Sequence, residues 1–300
     1  MLSAESGLRR RIMLAATLAL AGGLVAGSGM AIMQAAGVSA GLLRLQVLFL
    51  VVSLLLLGLG VFAQGRLSRP GTLLALCAVL AASLLLPWLL SGGVQARWLA
   101  LGAFRLHLAP VVLPALLVLL GGLLDHAGFR GQRAALAVLG VAGLALMLQP
   151  DPAQLLALTL AAALLWMSAR PPGAALGRHA AWALVIGAVG LGLTVIAWQR
   201  AEPLAAVPHV EGILHLAAAQ GPWMLAAALL AIVSLLAALL MVQSRGARAA
   251  AAYFCTLLAL APLQVTPVPL LGFGAGPLLG WGTMALAVLA LKDAGHGRAD

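Results

Sequence analysis

The sequence predicts an all-α, polytopic membrane protein, and three observations carry that prediction. Hydrophobic residues make up 64% of the chain and charged residues 8%, with a mean hydropathy of +1.13, whereas a soluble domain carries about a quarter charged residues. Apolar runs of roughly 17 to 25 residues, the length that crosses a bilayer as a helix, recur from end to end. They are divided by short polar loops and lack the blocks of about ten alternating residues that barrel strands show. Nothing is left over for a soluble domain, so residues 1–300 read as one transmembrane domain.

The first run follows Arg9, Arg10 and Arg11 and continues to about Met33. A signal peptide shares that basic start but has a shorter apolar core, so an uncleaved first span near 12–35 is expected. The next runs lie near 41–63, 71–91, 108–124, 134–149, 153–169, 180–198, 222–243, 249–265 and 274–291, which makes about ten helices. Cys77 and Cys255 both fall inside runs and read as small packing residues, with no disulfide or metal role.

A formal charge of +10 on a soluble protein would suggest nucleic acid, but here the placement of the charge decides. With the N-terminus inside, the cytoplasmic segments carry Arg9, Arg10, Arg11, Arg66, Arg69, Arg130, Arg133, Arg170, Arg178, Arg245, Arg248, Lys292 and Arg298, thirteen of seventeen Lys and Arg. Basic residues favour the cytoplasmic side, so both termini are expected there and most of these side chains are topology anchors facing membrane lipids, not a nucleic-acid surface.

Two non-cytoplasmic loops longer than tight turns remain, 92–107 and 199–221, and polar residues gather in or near them. "GGVQARWLALGAFRLHLAP" holds Arg97, Trp98, Arg105 and His107; an Arg beside a Trp also suits a membrane interface with no further role. "LMLQPDPAQLL" places Gln149, Pro150 and Asp151 at a helix junction, where Asp151 can cap the following helix. "WQRAEPLAAVPHVEGILH" gathers Arg200, Glu202, His209, Glu211 and His215 in a chain with only seven acidic residues. A carboxylate such as Glu211 at the membrane boundary can act as a base, can hold a divalent cation, or can simply be solvated.

Taken in order, these segments resemble the SEDS family, the shape, elongation, division and sporulation proteins of the FtsW, RodA and SpoVE type. The family's outer-loop Arg-Trp-Ile and Leu-Gly are echoed by Arg97, Trp98, Leu99, Leu101, Gly102 and Phe104. Its Gln-Pro-Asp-Leu-Gly is matched at Gln149, Pro150 and Asp151. Its C-terminal Leu-Pro-Phe-Ile-Ser-Tyr-Gly-Gly is echoed by "VPLLGFGAGP", with Pro269 and Gly274 kept, and "RLQVLFLVV" at Arg44 and Gln46 resembles the start of its second span. "PHVEGIL" aligns with the family's His-Thr-Asp segment, placing His209 on the His and Glu211 on the proposed catalytic Asp.

The resemblance implies ten spans in a bacterial inner (plasma) membrane, lipid II or another undecaprenyl-linked saccharide as substrate, and a class B penicillin-binding protein as partner. It implies Glu211 as base, possible help from a divalent cation, and substrate contacts from Arg97, Trp98, Arg105, Gln149, Asp151 and His209. The chain departs from the family where His107, Leu108, Ala109 and Pro110 replace Gln-Pro-Ser-Glu, where Leu113 replaces a Lys, and where a glycine-rich loop between Asp151 and Glu211 is missing. These departures keep a second reading open, a non-catalytic scaffold or binder of lipid-linked ligands. A transporter is a third, disfavoured by spans almost free of charge.

Overall fold

A computed structural model describes residues 2–63, 67, 69–92, 97–102, 104–126, 129–169, 176–201 and 205–291. Every expected apolar run is helical within these limits. In chain order the helices are α1 (Leu2–Ala35), α2 (Ala40–Phe62), α3 (Pro70–Ser83), α4 (Leu86–Leu90), α5 (Ala109–His126) and α6 (Phe129–Leu148). They continue as α7 (Pro152–Ser168), α8 (Leu176–Arg200), α9 (Ile213–Gln220), α10 (Pro222–Met241), α11 (Arg245–Leu260) and α12 (Ala275–Leu291).

Among the described residues, seven helical segments are long and apolar enough to cross a membrane by length and composition, the pair α3–α4 counting as one. Three shorter apolar helices, α5, α7 and α12, stand beside them. These three are the most enclosed: α12 packs on α2 and α5, α5 on α3 and α11, and α7 on α8 and α11. A helix apolar on every side is a buried helix, and α7 and α12 are buried over most of their circumference. The outer helices instead turn Leu and Val outward, as α8 does with Leu184, Val189 and Val195, because lipid is as apolar as a protein core.

Packing between the central helices relies on the absence of side chains. A Cβ on Gly280 of α12 would collide with the Pro110 carbonyl of α5, so glycine lets the two backbones touch. Ser53 of α2 ties the same region together by donating to the carbonyls of Phe49, in its own helix, and Leu278 of α12, each at 2.7 Å.

Three local features depart from the expected pattern. The run near 71–91 is broken into α3 and α4, because Pro87 has no N–H to offer the Ser83 carbonyl and its ring crowds that turn. The loop 92–107 contains a β-hairpin, β1 (Trp98–Leu101) paired antiparallel with β2 (Phe104–His107), in the register Trp98 opposite His107 and Ala100 opposite Arg105. Gly102 in its turn has φ of 64°, the positive value that tight hairpin turns require. The loop 199–221 folds in part into α9, bounded by Gly212 and by Gly221 before Pro222. Glu202, and the expected cytoplasmic anchors Arg66, Arg170, Lys292 and Arg298, lie outside the described residues.

Candidate functional site

At the end of the bundle where α6, α8 and α11 finish and α5, α7 and α12 begin, two cavities open side by side. The larger, about 400 Å³, brings Arg97 and Trp98 of the hairpin, Asp151 before α7, Glu211 and the segment Gln264–Pro267 to one space. The smaller, about 300 Å³, is walled by Phe49, Phe104, Arg105, His209 and Phe273. Trp98, His107 and Pro267 line both, so a single thin wall divides them.

Asp151 is the most firmly held group. Its Oδ2 accepts from His107 Nε2 at 2.7 Å and its Oδ1 from the Gln154 N–H at 3.3 Å, so one carboxylate both pairs with the hairpin and caps α7. The polar chain continues inward, where the Tyr253 hydroxyl of α11 donates to Gln154 Oε1. Burial pushes the Asp151 carboxyl up, but the His107 imidazole beside it, the Arg97 charge and the Gln154 N–H outweigh burial and hold it below its ordinary value of 3.8. With Nε2 committed to Asp151, His107 keeps a buried Nδ1 that has no hydrogen-bond partner among the described residues. The Trp98 indole packs against the same imidazole with ring centres 5.0 Å apart.

Glu211 is held by its own turn. The N–H groups of Val210, Glu211 and Gly212 converge on the Val207 carbonyl at 2.9, 3.1 and 3.2 Å, and the Val207 N–H donates to Glu211 Oε2 at 2.9 Å. That turn is stitched to the segment before α12: Phe273 donates to the His209 carbonyl at 2.8 Å and Val268 to the Val210 carbonyl at 3.4 Å. A Cβ on Gly272 would strike the Val210 carbonyl, so glycine permits this contact. Gln46 of α2 braces the segment from the other side, donating to the Gly272 carbonyl at 3.3 Å and accepting from the Gly274 N–H at 3.1 Å.

The sequence-selected residues therefore separate into three groups. Arg97, Trp98, Asp151 and Glu211 share the larger cavity, while Arg105 and His209 face the smaller one. Gln149 lines neither: its amide donates to the Leu84 carbonyl at the break between α3 and α4, giving a buried backbone group a partner. The cluster of charges in 198–215 also disperses. Arg200 donates to the Met147 carbonyl at 3.2 Å, at the C-terminal end of α6, and His215 Nδ1 accepts from Gln264 at 3.0 Å. Gln154, Thr266 and Tyr253 were not singled out by sequence reasoning, and Gln46 was named only for its resemblance to a span entry. Tyr253 carried the one usable signal, since the only tyrosine in the chain, set in an apolar helix, requires a buried partner for its hydroxyl.

Among the described residues no three His, Cys, Asp or Glu side chains converge as a metal cage. The cavity's carboxylates fit only the mode in which one or two protein oxygens and substrate phosphates share a hydrated cation.

Fold and site together define a polytopic helical membrane protein with a polar, two-chambered cavity at one end. No family model and no curated protein matches the chain, but solved structures do. The crystal structure of the Thermus thermophilus rod shape determining protein RodA is similar at a TM-score of 0.62 and 20% identity, over 91% of this chain and 94% of that one. A mutant of the same protein gives 0.61 and 20%, over 91% and 95%. A chain of a peptidoglycan synthase complex that coordinates polymerization and crosslinking gives 0.63 and 18%, over 93% and 98%. The chain thus has a RodA-like fold.

Proposed function

We propose that residues 1–300 form a SEDS-like transmembrane domain of the bacterial plasma membrane that binds lipid II or a related undecaprenyl-linked saccharide and acts in peptidoglycan synthesis. The observation that carries this reading is the convergence of Arg97, Trp98, Asp151 and Glu211, from three distant segments, on one cavity of a RodA-like fold. In this reading Arg97 steadies the diphosphate through charge-assisted hydrogen bonds. Glu211 accepts the proton of the sugar hydroxyl that attacks the anomeric carbon of the lipid-linked donor, and the lipid diphosphate leaves with the bonding electrons. Trp98, Arg105, Asp151 and His209 shape the two chambers, and a class B penicillin-binding protein is the expected partner. Gln149 is assigned to the fold, because its amide nitrogen donates to the Leu84 carbonyl away from both chambers.

A second reading, a non-catalytic scaffold that only binds the lipid-linked ligand, is favoured by one observation. The Glu211 carboxylate is already engaged in closing its own turn through the Val207 N–H. The deciding experiment reconstitutes the full chain in proteoliposomes with lipid II, with and without a class B penicillin-binding protein, and follows glycan chain length on gels. Chains that grow support the enzyme. Saturable lipid II binding without growth supports the scaffold, and no binding overturns both.

A further inference from the structure

Between α6, α7 and α8 lies a second kind of cavity, a groove of about 180 Å³ lined almost wholly by aliphatic side chains. Its one hydroxyl, Thr159, donates to the Leu155 carbonyl of its own helix at 2.8 Å, and apart from it only the Trp182 indole on the rim carries a polar side-chain atom. The α7 wall is buried, while Gly140 of α6 and Val189 of α8 are exposed on the rim, so the groove opens sideways toward lipid. The hollow exists because α6 presents glycines there. A Cβ on Gly140 would meet nothing within 4 Å, and one on Gly143 only side-chain ends of Leu193 and Leu155 at 3.6 and 3.8 Å. Neither glycine serves a close backbone contact, in contrast to Gly190 across the groove, whose Cβ would collide with Thr159. Glycine at such a position weakens a helix relative to Ala, and here its structural result is open volume.

The groove lies close to the larger polar cavity along the α7/α8 seam, although the two share no lining residue. On α7 the cavity ends at Pro152 and the groove begins at Leu155; on α8 the cavity reaches Trp198 and the groove Leu193. At 1.5 Å per residue these gaps are about 4.5 and 7.5 Å. The polar end carries the Arg97 guanidinium and the buried Thr266 hydroxyl, which has no hydrogen-bond partner among the described residues. A polar chamber with a cation and an unfilled hydroxyl, within two turns of helix of a dry hydrocarbon slot, suits an amphiphile with an anionic head.

We propose that this groove holds the isoprenoid chain of the lipid-linked substrate while its diphosphate lies beside Arg97. The proposal rests on the substrate class given under Proposed function and adds the place where the lipid enters. The test uses the full chain in nanodiscs and two photoreactive polyprenyl diphosphates, one with a diazirine in the chain and one with a diazirine at the head, with crosslinks mapped by mass spectrometry. The chain probe is expected to label residues 155–162 and 182–193 saturably. Gly140→Trp, which fills the hollow without a backbone collision, should lower that labelling about tenfold and leave the thermal unfolding midpoint unchanged; Gly140→Leu gives the same test should the larger side chain not fold. Head-probe labelling near Arg97 with chain labels on another face overturns the groove and leaves the substrate reading standing. Loss of saturable labelling by both probes overturns the substrate reading as well. A diazirine phosphatidylglycerol that labels the groove and resists a tenfold excess of polyprenyl diphosphate assigns it to ordinary membrane lipid and also overturns the proposal.

Discussion

Two carboxylates share the larger cavity, and they are held in opposite ways. Asp151 is buried and fixed by distant parts of the chain, with His107 of the hairpin on one oxygen and the first turn of α7 on the other. Glu211 is half-exposed and fixed only by its own turn, through a backbone N–H four residues earlier. A carboxylate tied into tertiary structure cannot change partners without loosening what it ties, whereas one held by a single local hydrogen bond can exchange that bond for a substrate proton. The difference suits Asp151 to the architecture of the cavity and, under the proposed function, Glu211 to the proton transfer.

The strongest way to break this contrast is Asp151→Ala. It strands the buried His107 and uncaps α7, and removing one partner of a buried pair costs about 3–5 kcal/mol, so a large drop in the thermal unfolding midpoint in detergent is expected. Asp151→Asn keeps the shape and the helix cap and should lose less. A variant as stable as the wild type would mean that the pair does not hold the hairpin.

Glu211→Gln should do the reverse. It leaves size and hydrogen-bonding capacity in place, so the unfolding midpoint should move little. Removal of a general base lowers turnover by about 10²–10⁴-fold, so wherever wild type extends lipid II this variant should not. Glu202→Gln should leave the rate near wild type, since Glu202 matches no position of the family pattern. Equal behaviour of the two variants in a measurable assay would remove Glu211 from the chemistry.

Gly272→Val probes what places the Glu211 turn. Its side chain would meet the Val210 carbonyl, and overpacking of this kind typically costs about 1–3 kcal/mol. The displacement falls on the His209–Gly212 turn, so lipid II extension should drop by more than the stability loss explains. Unchanged extension would show that the turn's position does not matter.

The spans were legible because hydrophobicity over some twenty residues is a property of composition, and burial in lipid or protein both satisfy it. The division of labour among them was not, since α7 and α12 differ from α8 in which neighbours surround them and not in how apolar they are. The hairpin was missed because its strands have only four residues each and the first, "WLAL", is apolar throughout, which leaves the short "FRLH" alternation and Gly102 to mark it. Asp151 was read correctly as a helix cap from the neighbouring prolines, a local rule. Its pairing with His107 depends on a contact across 44 positions, which no local rule reaches. Gln149 was read as a substrate ligand by resemblance, and its bond to Leu84 depends on the Pro87 break that hydropathy alone did not register.

The smallest expected effect is in pH. The folded Asp151 carboxyl lies below its ordinary 3.8, against the push of burial, because His107, Arg97 and the Gln154 N–H favour its charged form. A group depressed in the folded state contributes stability that is complete above the unfolded value and is lost as pH falls through the folded one. Between pH 7 and 5 this carboxylate should therefore add no slope to stability. Below 3.8 its contribution should fade, with a slope that approaches about 1.4 kcal/mol per pH unit at most for one proton. Asp125, paired with Arg245 at 2.9 Å near the other end of the bundle, is common to both proteins and cancels in a comparison of the two. The measurement is therefore the difference between wild type and Asp151→Asn unfolding midpoints from pH 6 to pH 2.5. The two curves should run parallel above pH 4 and converge below it. Curves that stay parallel throughout would mean that Asp151 is not charged in the folded protein, and the contrast between the two carboxylates would lose its fixed member.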